Sequence, residues 1–403
     1  MKIRSITYFI DPGWPLDQDA LKQAGELIAS ARPAFEQAGY PVQSTRLATF
    51  SFARRVPSLD PDEVVAFAQA LEDIARTLGF EYVSIGPALP QLPASYQVIP
   101  RLLASTQNVF ASGQMTTSDG VSLYAVRACA EIIYAAATIS PDGFANLRFA
   151  ATANLPPDAP FFPAAYHDDD MPSFALAMEA ADLAVDAFTL APDLKSARRR
   201  LIDMLEHHGR ELNAIACVEA RKNSMPFGGI DFSLAPFPDE AVSLGAALER
   251  LGASAAGMHG SLAAAAILTD TLDRARFPRA GFSGLMLPVL EDVFLARRAG
   301  EGSLTVMDLL LLSAVCGTGL DTIPLPGDTT TDQLAAILLD VACLGQRLDK
   351  PLTARLMPVP GKKAGEMTSF NFPYFANSRI MAVRAERLSG YLAGEEPITL
   401  THR

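Results

Sequence analysis

The chain has 403 residues, 49% of them hydrophobic and 19% charged, with a formal net charge of −12. That is enough apolar material for one large core or two ordinary ones, and too much for a disordered protein. The acidic balance argues against a nucleic-acid partner and against anionic lipid, since both select for a surplus of Lys and Arg.

A strand-like run begins at "KIRSITYFI" (2–10) with no basic, apolar leader before it, so secretion is not expected. The most apolar stretch, "LTVMDLLLLSAVCG" (304–317), is too short to span a bilayer and contains Asp308, so it reads as a buried helix and no membrane partner is expected. Cys129, Cys217, Cys316 and Cys343 are scattered without a CxxC pair, which fits reduced thiols in a cytoplasmic protein.

Short β-rich runs alternate with helical stretches. Strands are expected at 2–10, 41–50, 80–86, 107–113, 147–155 and 183–190, then at 228–235, 254–260, 281–288, 320–326 and 352–359. Helix starts are legible between them. In "DPDE" (60–63) Asp60 is placed to cap, with Pro61 at the first helical position. "TTDQ" (330–333) is a second capping box. Ten or eleven strand–helix units without a linker predict one domain with largely parallel pairing, either a large β/α barrel or a big doubly wound sheet. Exposed alanine-rich helices would suit a homo-oligomer.

Polar residues late in strands are the natural site candidates in a barrel. In "GGIDFSLAPFP", Asp231 and Ser233 are two apart and share a strand face. Asp231 is either a functional carboxylate or an acceptor for neighbouring backbone N–H groups. In "GMHGSLAAAAILTD", His259 is expected at a strand end beside a helix N-terminus. That setting favours the neutral imidazole needed by a general base or a metal ligand; the alternative is a histidine bonded to local backbone. Ser283 and Asp328 follow in later loops. Asp321 opens its strand and is therefore expected at the wrong end, while Glu291 and Asp292 read as helix-surface charge. Arg4 and Arg355 lie within strands, where an inward guanidinium meets a carboxylate or an anionic substrate. In "AAYHDDD" (164–170), His167 and Asp168 are candidates for a divalent cation, against the alternative of a solvated acidic loop. Walker A, GxGxxG, GxSxG and HExxH signatures are missing, so no standard nucleotide loop is expected.

The motifs "GGIDFSLAPFP", "GMHGSLAAAAILTD", "GFSGLMLPVLED", "CGTGLDTIPLPGDT" and "ARLMPVPG", with "IRSIT" and "FFPAAYH" upstream, resemble the DUF711 family, also called UPF0210 and "PFL family protein". The resemblance implies a ten-stranded β/α barrel of the pyruvate formate-lyase type as one domain over 1–403. It carries no established catalytic residues. The chain departs from longer members of that family near 183–195 and near its C-terminus.

"RLSGY" (387–391) is similar to the glycyl-radical motif of pyruvate formate-lyases, but Leu388 stands where that motif has Val. Cys217 reads as a helix residue and Gly390 as a helix-ending glycine, so no glycyl radical is expected. Two functions follow. The first is an enzyme applying acid–base or metal-assisted lyase, isomerase or hydrolase chemistry to a small anionic metabolite. His259 and Asp231 would be catalytic, and Arg4, Ser233, Ser283, Asp328 and Arg355 would hold substrate. The second is a non-catalytic regulator binding a metabolite in the same cavity.

Overall fold

The computed structural model describes residues 1–401. In chain order the strands are β1 (Lys2–Ile10), β2 (Thr45–Thr49), β3 (Tyr82–Ala88), β4 (Val109–Gln114), β5 (Thr116–Thr117), β6 (Gly120–Val121), β7 (Phe149–Ala153), β8 (Ser173–Glu179), β9 (Phe227–Ala235), β10 (Gly319–Pro326) and β11 (Leu352–Val359). Strands β5 and β6 form a separate hairpin. The other nine make one sheet in the order β10-β11-β7-β4-β3-β2-β1-β8-β9.

Most neighbours are parallel, as strand–helix alternation demands, but two seams are antiparallel: β1 with β8, and β7 with β11. The sheet therefore consists of a parallel block β1-β2-β3-β4-β7, flanked by the parallel pairs β8-β9 and β10-β11 running the other way. The nine-stranded sheet does not close on itself by regular pairing. Between its edges runs the chain at 279–288, which touches both through single bridges, Ile230 with Arg279 and Pro288 with Asp321.

Each strand puts alternate side chains on opposite faces. Leu47 of β2 joins the main core cluster, which also takes in the helices' apolar stripes. Arg46 turns to the other face, toward the cavity described below. Helix Pro61–Thr77 begins as expected: the Asp60 side chain accepts the N–H groups of Asp62 and Glu63. The Thr330–Gln333 capping box before helix Thr331–Leu348 is formed in both directions. Among the described residues, no helix is long and apolar enough to cross a membrane.

Several expectations need correction. Residues 183–190 lie in a helix, Ala181–Leu190, whose buried Ala181, Leu183, Ala184 and Ala187 follow helical spacing. The strand just before it, β8, escapes the sequence reading. The 254–260 stretch is a sequence of turns, and 281–288 is irregular apart from the bridge at Pro288. The helix expected through "NSRIMAVRAERLS" (377–389) is an irregular segment. Gly390 instead opens a short exposed 3-10 turn, with nothing within 4 Å of where its Cβ would lie. Helix Val306–Ser313 is also not fully buried, since Met307 and Leu311 are exposed.

Candidate functional site

The site is the space enclosed by the inner faces of the strands, a cavity of about 390 Å³. Early residues of the first block line it (Arg4 on β1, Arg46 on β2, Tyr82 on β3, Phe110 on β4). Facing them are Asp231 and Ser233 on β9, Asp321 on β10 and Arg355 on β11, with Glu291 from the 3-10 turn Val289–Glu291. Phe144, Arg148, Phe162, Phe372 and Tyr374 add to the lining from outside the sheet.

A buried ion network occupies the floor. Arg4 donates to Glu291 Oε2. Arg355 donates through Nη2 to Glu291 Oε1 at 2.9 Å and through Nε to Asp321 Oδ1 at 2.6 Å. Burial alone would push the Glu291 carboxyl up, but Arg4, then Arg355 and Arg46, outweigh it and hold the group below its usual range. Asp321 goes the other way. Burial, together with the neighbouring Glu291 charge, raises its carboxyl despite Arg355.

Arg46 stands apart. Its Nε donates to Ser44 Oγ at 2.9 Å, and its guanidinium carbon lies 5.1 Å from the Phe162 ring centre and 5.8 Å from that of Tyr82. Among the described residues no carboxylate pairs with it. Burial, then the like charges of Arg4 and Arg355, pull its pKa down to about 10. A fourth lining arginine, Arg148, is committed to structure, donating to the carbonyls of Leu103, Thr106 and Val109.

Asp231 is saturated. Its Oδ1 accepts from Ser233 N at 2.8 Å, Ser233 Oγ at 2.5 Å and Ser283 N at 3.0 Å, while Oδ2 accepts from Phe282 N at 3.0 Å. Burial raises the carboxyl and these four bonds oppose the rise. The carboxylate thus fastens the 281–284 turn to β9, which is the backbone-acceptor role weighed for it. Two of its donors are on Ser233 in the same strand and two, Phe282 N and Ser283 N, are on a segment about fifty residues downstream; none is in the adjacent "APFP". Ser283, held at φ 42°, spends its hydroxyl on the carbonyls of Ile230 and Ala280.

The structure brings Arg4, Asp231, Ser233 and Arg355 to one cavity and leaves the other candidates outside it. His259 is exposed on the turn before helix Ser261–Arg274, between Gly257 (φ 94°) and Gly260 (φ 104°), and does not line the cavity. The positive-φ glycines make a turn there, so the expected strand end does not exist. Asp328 is exposed in the loop after β10. Asp321, expected at the wrong end of its strand, is inside the cavity. Glu291 and Asp292, read as surface charge, are both buried: Glu291 joins the ion network, and Asp292 caps helix Val293–Glu301 and accepts from Ser243 Oγ at 2.6 Å.

His167 and Asp168 take separate partners. The buried His167 ring pairs through Nδ1 with Asp158 at 2.7 Å beside Phe9 and Phe50, while exposed Asp168 pairs with Arg54 at 2.6 Å. A tighter set of potential ligand atoms is His207, His208 and Glu211, within 4.8 Å of one another on the helix Leu194–Lys222. Sequence reasoning missed Arg46, Tyr82 and Glu291. The available signal for Arg46 was the one used for Arg4, a lone arginine inside an apolar strand.

Comparison with known proteins places this chain in a family. The model of the uncharacterised family DUF711 matches residues 1–373. The chain belongs to DUF711. Within it, the chain is similar to a UPF0210 protein of Pyrobaculum aerophilum, 34% identical over 366 residues, covering 84% of this chain and 79% of that one. A UPF0210 protein of Pyrobaculum arsenaticum is 32% identical over 392 residues (92% and 83%), and one of Methanococcoides burtonii 30% identical over 371 residues (86% and 80%). Every motif that suggested DUF711 lies within the matched span, and of the cavity lining only Tyr374 falls just beyond it.

Proposed function

We propose that this DUF711 protein binds a small anionic metabolite in the cavity between its strands. One observation carries the reading: of the four lining arginines, Arg4 and Arg355 pair with carboxylates and Arg148 is held by backbone carbonyls, while Arg46 has neither among the described residues. An unpaired guanidinium held out of bulk water is costly unless a ligand supplies the anion. Ser233 Oγ adds a hydroxyl to the lining.

The same proposal treats the chain as one domain in which 279–288 serves as a tenth stave between β9 and β10. Its support is the pair of bridges at either end and the Asp231 bonds that hold the turn. A reducing, cytoplasmic setting is part of the reading and rests on four unpaired cysteines.

Binding without turnover fits the side chains better than the enzyme first expected, because His259 does not reach the cavity and Asp231 is saturated. A catalytic version retains one group, Asp321, whose carboxyl is raised by burial above its usual range despite Arg355, the direction a proton-carrying group needs. Thermal-shift and calorimetric screening of small carboxylates and phosphates, on the wild type and on Arg46→Ala, tests the binding. Ligands that stabilise the wild type and lose affinity in the variant support it, and a set of anions bound equally by both proteins refutes it. Conversion of a bound anion, abolished in Asp321→Asn with binding retained, would favour catalysis.

A further inference from the structure

We infer that the occupant is an aryl monocarboxylate, with its carboxylate on Arg46 and its ring against Tyr82, Phe110 and Phe162. This narrows the anion reading above and rests on it. The number of charges comes first. Arg4 and Arg355 are engaged by Glu291 and Asp321, and Arg148 by backbone carbonyls, which leaves Arg46 as the lining guanidinium open to a ligand. Apart from the Nε bond to Ser44, Arg46 has no hydrogen bond to a described residue, so its terminal nitrogens remain for a ligand. A guanidinium presents paired N–H groups that match one carboxylate bidentately. A phosphate dianion would bring one negative charge too many beside the buried Glu291 and Asp321.

The chemistry of the walls comes second. Tyr82 meets Phe110 edge-on with ring centres 5.3 Å apart, and Phe110 meets Phe162 at 5.5 Å. Arg46 sits over the Tyr82 and Phe162 ends of this three-ring wall. A second aromatic group, Phe144 with Phe372 at 5.1 Å and Phe372 with Tyr374 at 5.0 Å, also lines the cavity. An aromatic ring gains edge and face contacts on such surfaces, whereas a polyol would strand hydroxyl groups against them. The cavity volume of about 390 Å³ lies in the ordinary range for small-molecule sites. One polar fixture remains: Gln43 Oε1 is buried without a partner and its residue lines the cavity, ready to accept from a hydroxyl or amine on the ligand.

Isothermal titration of the full chain tests the assignment with 4-hydroxyphenylacetate, 3-phenylpropanoate, neutral 2-phenylethanol, inorganic phosphate and glucose 6-phosphate. The expected result is saturable binding of at least one aryl acid below about 5 mM, with 2-phenylethanol about tenfold weaker or worse. Arg46→Gln should weaken the aryl acid by about tenfold or more while circular dichroism stays unchanged. Should the variant fail to fold, the wild-type contrast between aryl acid, neutral alcohol and phosphate still decides. If the phosphates bind and the aryl acids do not, this inference fails and the anion reading stands. If no probe anion binds, or all bind without regard to Arg46, both fail.

Discussion

Glu291→Gln separates what the buried ion network does for the fold from what it does to the charge of the cavity. Each Glu291 oxygen accepts from a different arginine, Arg4 on one and Arg355 on the other, and its side chain is 5% exposed. Gln is nearly isosteric, so no void opens, but one acceptor oxygen becomes an NH₂ facing a guanidinium. Breaking a buried pair by removing one partner costs roughly 3–5 kcal/mol. Asp321 still holds Arg355, which argues for the lower end, about 3 kcal/mol. Denaturant unfolding followed by circular dichroism reads this as a lower midpoint at pH 7. The pH dependence has a definite sign. The folded-state pKa of Glu291 lies below the 4.5 of an unperturbed glutamate. Its contribution is therefore present above that value and is lost as pH falls through the folded pKa, so the gap between wild type and variant narrows in acid. Anion affinity should move the opposite way. Removing a negative charge from the same cavity favours a bound anion; Coulomb's law at an effective dielectric of about 20 gives roughly 1.5 kcal/mol, or about tenfold, for charges of the order of 10 Å apart. A gap below about 1 kcal/mol at pH 7, or one independent of pH, would refute the ion network as the reason Glu291 is buried.

Asp231→Asn keeps one oxygen but puts an amide against a backbone N–H, so it should cost about 3 kcal/mol in unfolding midpoint, through one lost charge-assisted bond and one stranded donor. Gly284→Ala places a Cβ 2.5 Å from Gly317 Cα, between two backbones that cannot yield, and should destabilise by about 2 kcal/mol or more. Hydrogen exchange should then rise first at 279–288. His259→Ala, on an exposed turn, should change stability by no more than about 0.5 kcal/mol and leave ligand affinity unaltered in the same titrations.

The sequence was most legible where local chemistry dominates. Caps such as Asp60 and Thr330 follow from bonds within one turn. Strand β8, "SFALAME", defeated the reading because all seven of its residues are buried. With both faces covered there is no alternation to see, and its Ala and Met content merges with the alanine-rich helix that follows. His259 failed for a different reason. A strand was expected over 254–260 with His259 at its end, whereas Gly257 and Gly260 both adopt positive φ and the stretch turns there. Glu291 looked like surface charge because a carboxylate beside another at a helix start is usually solvated. What buries it is a pair of arginines on β1 and β11, far away in sequence, and no local pattern reports such partners.

The rule that barrel chemistry collects at the C-terminal ends of strands also needs all strands to run one way. Here they do not. The antiparallel seams at β1–β8 and β7–β11 bring the early residues of β1 to β4 level with the later residues of β8 and β9. Lys2 lies opposite Glu179, and Ile3 opposite Met178. A cavity at that level must draw Arg4, Arg46, Tyr82 and Phe110 from strand beginnings while drawing Asp231 and Ser233 from a strand interior. That is why Arg4 and Arg355, chosen as arginines inside strands whatever their end, line the cavity, and why Asp321 lines it while Asp328, favoured by strand end, does not. In a sheet built from opposed parallel blocks, the informative signal is a charged residue within an apolar strand, and its position along that strand carries little weight.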